Sequence, residues 1–321
     1  MKNIVYPDAD EGDDKLLLGH RRDSLEKFGE FEIFCGPPKD NDEFLERTQN
    51  ANALMIGWSL PVEVMREIKQ LEVISFTGIG AGTYIDLPAA SKLGITVCNC
   101  PGYADNTVAE HTLALLLAAT RHVPKLDADL RHGKWNQDLT GIELRGKSLG
   151  LIGFGGIAQR VCEFAKALGM HVKVWTLNPN TERAAKHDID FVELEELLKT
   201  SDILSLHIAL SEQTESLLGT KEFALMRDGV ILINTARGEL IKDDALINAL
   251  QSDKIRTAAL DVFRTEPLPT DHPFIKLDNV ILSPHIAYNT PEARETLYYI
   301  TINNILQFYK GSPINVVAAP K

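Results

Sequence analysis

The chain has no long apolar run, few cysteines, no basic excess and no internal repeat, and each absence removes a class of protein. Even LALLLAA (113–119) falls far short of the roughly 18 apolar residues a membrane span needs, so no membrane partner is expected. Four cysteines in 321 residues make no disulfide framework. Cys98 and Cys100 form a lone C-x-C without a second pair, which reads as buried thiols and not as a metal site. A net charge of −12 repels a phosphate backbone and argues against nucleic acid as a partner. The start, MKNIVYPDADEGDD, lacks the apolar core of a secretion signal, so a cytoplasmic location is expected.

What is present is an alternation of short β-branched runs with helical patterns. In the first hundred residues KNIVY (2–6), FEIF (31–34), ALMI (53–56), EVISF (72–76) and ITVCN (95–99) read as strands. PVEVMREIKQL (61–71) reads as a helix with proline at its start. A long helical pattern follows from 104 to about 132, interrupted at Pro124. The alternation then restarts with SLGLIGF (148–154), HVKVW (171–175), DILSLHI (202–208), GVILINT (229–235), RTAALDV (256–262) and NVILSP (279–284), all read as buried strands. A final helix over 291–311 opens on proline and closes on glycine. Such alternation predicts an α/β protein with parallel sheets covered by helices. A chain of 321 residues also fits two domains of about 100–200 residues each. Two doubly wound units are therefore expected, joined near 104–123.

GLIGFGGIAQRV (150–161) opens the second of these units. Gly153, Gly155 and Ala158 give G-x-G-x-x-A between a strand and a helix, the context in which this pattern cradles a dinucleotide. Gly153 permits the tight turn, Gly155 lets backbone approach a pyrophosphate, and Ala158 allows close helix–strand packing. The amides of Gly155, Gly156 and Ile157 then face phosphate with the helix dipole behind them. The next strand should end in an acid that grips the ribose hydroxyls of NAD. It ends instead in Thr176, with Asn178 close by and Arg183 further on. NAD or NADP is the expected cofactor, with NAD favoured because no basic pocket is evident.

Three later strand ends carry charge. Arg237 follows GVILINT, Asp261 and Glu266 follow RTAAL, and His285 follows NVILSP. In doubly wound sheets ligands bind at the carboxyl ends of the strands, so these groups can converge beside the glycine loop. An arginine offers a fork for a carboxylate, a histidine is an acid–base near neutral pH, and a glutamate bonded to it favours its protonated form. With a nicotinamide, the set reads as hydride exchange between a 2-hydroxy acid and a 2-oxo acid. His207 and His111, on apolar stretches, read as structural.

The ordered set VAEHTLALLLA, LIGFGGIAQRV, INTARGELI, ALDVFRTEPLP and LSPHIAYNT resembles the D-isomer-specific 2-hydroxyacid dehydrogenase family across essentially the whole chain. The resemblance implies a Rossmann dinucleotide-binding domain over 102–289. It implies a flavodoxin-like substrate domain built from 1–101 and 290–321, which closes over the cofactor. It implies Arg237 as the substrate-binding arginine, His285 as the acid–base and Glu266 as its partner. Asp261 would hold the nicotinamide amide, and Thr235, Ala236 and Thr107 would line the cofactor. The backbone of Gly80 and Ala81 in TGIGAGTYIDL would take the substrate carboxylate. A homodimer is implied too, formed through the apolar region around 104–135.

The chain departs from the family pattern in places. HIAL (207–210) lacks the usual proline, HIA (285–287) has alanine where glycine is usual, and Thr83 stands where aspartate is common. Glu266 argues against the related formate dehydrogenases, which use glutamine there. Phosphoglycerate dehydrogenases are the nearer rival. Many carry a regulatory extension, and their substrate wants basic residues that are not evident around 57–61 or 77–83, where Trp58 suggests an apolar wall. Dinucleotide-sensing corepressors share the fold, but their long disordered arms are not evident. A small 2-oxo acid of the glyoxylate or hydroxypyruvate type is the expected substrate.

Overall fold

The computed structural model describes residues 1–320, which form two compact units, 1–104 with 290–320 and 105–289. In the second unit the strands are β6 (Ser148–Ile152), β7 (His171–Trp175), β8 (Asp190–Phe191), β9 (Ile203–Leu206), β10 (Val230–Asn234), β11 (Ile255–Leu260) and β12 (Val280–Leu282). They form one sheet in the order β12-β11-β10-β9-β6-β7-β8, every pair parallel. The chain enters at β6, winds outward to β8, then crosses back to β9 and winds the other way. The direction reverses between β6 and β9, so the crevice for a ligand opens at their carboxyl ends.

Central strands of such a sheet are covered on both faces and read as unbroken apolar runs. β9 and β10 are buried at every position. One core packs Leu204, Leu232, Ala258 and Phe223, and the other packs Leu151, Ile233, Val161 and Ala165. β12 departs from the buried strand expected over 279–284. It is only three residues long and partly exposed, because it is the outer edge of the sheet.

The first unit contains β1 (Lys2–Ala9), β2 (Gly29–Cys35), β3 (Ala53–Ile56), β4 (Val73–Phe76), β5 (Thr96–Cys98) and the late strand β13 (Val316–Ala318). Their order is β13-β5-β4-β3-β1-β2, parallel except for β13, which pairs antiparallel with β5. The reversal here falls between β1 and β3. The final helix, Pro291–Tyr309, returns to this unit, where Tyr298, Ile302 and Ile305 join Ile4, Met55 and Val73 in one core. Thr290 caps that helix, its hydroxyl accepting from Ala293 N–H.

The long helical pattern after 104 forms two helices, Asp105–Arg121 and Val123–Arg131. The break falls at His122, which is left-handed at φ 55°. Pro124, with no N–H to donate, sits in the first turn of the second helix. The 61–71 pattern yields only Val62–Glu67, because Ile68 turns out of the helix into the core.

Candidate active site

β6 runs directly into the glycine loop. Gly153 donates to the Trp175 carbonyl at 2.7 Å, which ties the loop to the end of β7. Its φ is +95°, and a Cβ there would stand 2.5 Å from the His207 carbonyl oxygen, so the protein itself demands glycine. Gly155 differs: a Cβ on it would meet nothing within 4 Å. The helix Gly156–Ala167 starts there with no side chain capping its first amides. Ala158 is fully buried beneath it, and Ile157 packs against the same core. Open space over Gly155 and uncapped helix amides together fit a phosphate-bearing cofactor.

Beyond β7, Thr176 is half-buried and Asn178 is exposed, with no carboxylate on Trp175–Asn180. The Arg183 guanidinium donates to the Asn178 carbonyl at 2.6 Å and lies over the Phe154 and Phe191 rings. An open pocket of about 510 Å³ is lined by Gln159, Asn178, Glu182, Arg183, Lys186 and His187. The expectation of no basic pocket is therefore corrected. The helix Thr181–His187 folds Lys186 and His187 onto the side that Arg183 occupies, which strand spacing alone does not reveal.

The three charged strand ends do converge. Glu266 Oε2 accepts from His285 Nδ1 at 2.7 Å, and Glu266 Oε1 accepts from Phe263 N–H at 2.9 Å. Burial works against the Glu266 carboxylate, but the bonds from His285 and Phe263 and the nearby charge of Arg237 outweigh it and hold its pKa below the usual range. The two side chains keep 26 % and 31 % of their surface, so the pair stays reachable from outside. Arg237 is half-buried, with Nη1 donating to its neighbour's carbonyl, that of Ala236, at 2.6 Å. Gly238, which sequence reasoning missed, makes this approach possible. A Cβ there would stand 2.0 Å from the Phe263 carbonyl carbon, so only glycine lets the Arg237 loop lie against the loop of Glu266.

His285 itself is left-handed at φ 51°, a conformation a histidine keeps only where its surroundings enforce it. The enforcement comes from Asp261. Its carbonyl takes the His285 N–H at 2.7 Å, and its carboxylate takes Ser283 Oγ and the amides of Ile286 and Ala287 at 2.6, 3.1 and 2.9 Å. Asp261 is fully buried. In this fold the carboxylate is engaged by the His285 loop.

The remaining residues are placed as follows. Thr107 is half-buried in the first helix of the unit. Thr235 is buried, its hydroxyl 3.0 Å from that of Thr112, and Ala236 is half-buried just beyond β10. His207 is neutral at ordinary pH, pushed down to about 3 by burial, with Nε2 on Ser205 Oγ at 2.8 Å. In the other unit Gly80 opens the short helix Ala81–Tyr84. Ala81 is buried and its N–H bonds the Ile79 carbonyl at 3.0 Å, so that amide is not open to a carboxylate, unlike the expectation. The turn into the helix is what closes it. Among the described residues no cluster of His, Cys, Asp and Glu could hold a metal ion, and no helix is long and apolar enough to cross a membrane.

A Rossmann-ordered sheet with an open glycine loop and a histidine–carboxylate pair at its carboxyl edge has the form of a dinucleotide-binding domain. The chain belongs to the D-isomer-specific 2-hydroxyacid dehydrogenase family, whose NAD binding domain matches residues 113–287. It is 37 % identical over 303 residues to a D-3-phosphoglycerate dehydrogenase of Archaeoglobus fulgidus, covering 93 % of this chain and 57 % of that one. It thus spans little more than half of that relative. It is also 37 % identical to a hydroxypyruvate reductase of Blautia hydrogenotrophica, covering 87 % of this chain and 88 % of the other. A solved acyclic imino acid reductase in complex with NADPH and D-Arg superposes with a TM-score of 0.86 at 34 % identity, over 98 % of this chain and 100 % of that one.

Proposed function

We propose that this chain interconverts a small 2-oxo acid and its D-2-hydroxy acid with NAD or NADP. The observation that carries the reading is the 2.7 Å pair of His285 and Glu266 beside the charge of Arg237. When bound, the nicotinamide supplies or removes the hydride. Gly155, Gly156 and Ile157 would hold its pyrophosphate, with Thr176 and Asn178 toward the adenosine ribose and Thr107, Thr235 and Ala236 toward the rest. Arg237 presents two donors to the substrate carboxylate and fixes the carbonyl beside His285. His285, oriented through Nδ1 by Glu266, gives a proton to the carbonyl oxygen in reduction and takes it back in oxidation.

A cytoplasmic homodimer is part of this reading. Its support is the exposure of Leu117, Val123, Leu130 and Trp135 on and after the two helices that follow residue 104. Cofactor choice stays with both: no acid excludes a 2′-phosphate, while the guanidinium that would attract one is turned onto Asn178 and two rings.

The test is a panel of glyoxylate, hydroxypyruvate, pyruvate, phosphohydroxypyruvate and bulkier 2-oxo acids, with NADH and with NADPH, and an arm with added amine for imino acids. Turnover of at least one 2-oxo acid is expected, and His285→Ala should lower it by about 10²–10⁴-fold with cofactor affinity unchanged. Near-normal turnover in that variant, or turnover only with amine present, would overturn the reading.

A further inference from the structure

We propose that His111 is a positioning residue that fixes the His285 loop through Ser283 and Asp261; the inference rests on the acid–base role given to His285 above. His111 lies on the helix Asp105–Arg121, one turn beyond Thr107. Its Nε2 stands 3.1 Å from Ser283 Oγ and 3.5 Å from Asp261 Oδ1. Ser283 Oγ in turn lies 2.6 Å from Asp261 Oδ1.

The direction of these bonds follows from the acid. Burial pushes the Asp261 carboxyl up, but the bonds from His111, Ser283, Ile286 and Ala287 outweigh it and keep the group ionised. An ionised carboxylate only accepts, so the single Ser283 proton points at Asp261. The Ser283 oxygen must then accept from His111, which therefore carries a proton on Nε2. The imidazole thus acts as a fixed donor behind the whole segment.

What that donor secures is the backbone on both sides of His285. Asp261 takes the amides of Ile286 and Ala287 on its carboxylate and that of His285 on its carbonyl. Remove His111, and Ser283 and Asp261 lose the partner that holds them toward the helix. The left-handed turn at His285, φ 51°, is the least self-supporting part of the segment and the first to relax. A shift of the imidazole by about 1 Å is enough to cost roughly a hundredfold in rate. A glutamine at this position can offer its amide N–H near the place of Nε2, whereas leucine fills the volume without a donor.

Three variants separate this role from ordinary packing: His111→Leu, His111→Gln and Ser283→Ala. For the 2-oxo acid preferred in the panel, kcat should fall about tenfold or more in the leucine and alanine variants, and stay within about threefold of wild type in the glutamine variant. The KM for NADH should not move in any of them. Hydrogen exchange of the Ile286 and Ala287 amides should quicken in His111→Leu and not in His111→Gln. Unchanged kcat in both His111→Leu and Ser283→Ala, or equal losses in the leucine and glutamine variants, would overturn the proposal. So would exchange at 286 and 287 that ignores the leucine. Exchange needs no turnover, so failure of the 2-oxo acid reading shows separately, as wild-type inactivity across the panel.

Discussion

The two sheets share doubly wound topology, yet they treat charge at their strand ends in opposite ways. At the end of β1, Asp8 is buried and its carboxylate takes the amides of Gly57 and Trp58 at 2.9 and 2.8 Å. Asp13, buried nearby, is paired with Arg294 on the final helix. Both acids are occupied by their own fold. In the seven-stranded sheet Asp261 is occupied in the same manner, but Glu266, His285 and Arg237 keep surface, and His285 and Arg237 keep bonding groups to spare. A charged residue at a strand end is therefore not a site by position alone. It becomes one where the fold leaves part of its hydrogen-bonding capacity open.

The contrast can be broken most sharply at Arg237. If its fork binds a carboxylate, Arg237→Lys keeps the charge but loses the bidentate geometry, and kcat/KM for the 2-oxo acid should fall about a hundredfold. The affinity for NADH, measured by fluorescence titration, should hold. An unchanged kcat/KM would put Arg237 with the structural charges.

Asp8 is the counterpart on the other sheet, and its effect should appear in stability. Burial pushes its carboxyl up to about 6, against the pull of the Gly57 and Trp58 amides. The native state thus holds the proton more tightly than the unfolded chain, whose aspartate titrates near 4. The stability this contributes is present below about pH 4 and is lost as pH rises through 6. Relative to Asp8→Asn, the wild type should lose about 2–3 kcal/mol between pH 4 and 7, read from denaturant unfolding. A constant difference across that range would mean that Asp8 is not buried as described.

A smaller effect sharpens the comparison within one loop. Gly155→Ala should leave the melting temperature within about 1 °C while weakening NADH binding about tenfold, because only a ligand needs that space. Gly153→Ala should instead lower the melting temperature, since both φ and the His207 carbonyl oppose a side chain. Equal behaviour of the two would remove the argument for a cofactor at Gly155.

These cases also mark what the sequence makes legible. The strand–helix alternation foretells both doubly wound sheets, because apolar period and turn residues are local signals. β8 and β13 escape notice because two or three residues carry no period. Arg237, Glu266 and His285 are brought together as their strand ends suggest, since adjacent parallel strands deliver their loops to one edge. The work of Asp261, the demand for glycine at 238 and the partner of His111, 172 residues away in sequence, are set by packing and leave no mark on spacing. The closed amide of Ala81 is of the same kind, a turn that no motif prints.

The most direct measurement of the central claim is kcat for 2-oxo acid reduction, with the KM of each substrate, in wild type and in Glu266→Gln. The carboxylate holds the imidazole at Nδ1, so its loss should be felt in the proton transfer. Replacing it with a neutral amide of the same shape should lower kcat about tenfold or more, with the cofactor KM unchanged. An unchanged kcat, with only the substrate KM altered, would contradict an acid–base His285 held by Glu266.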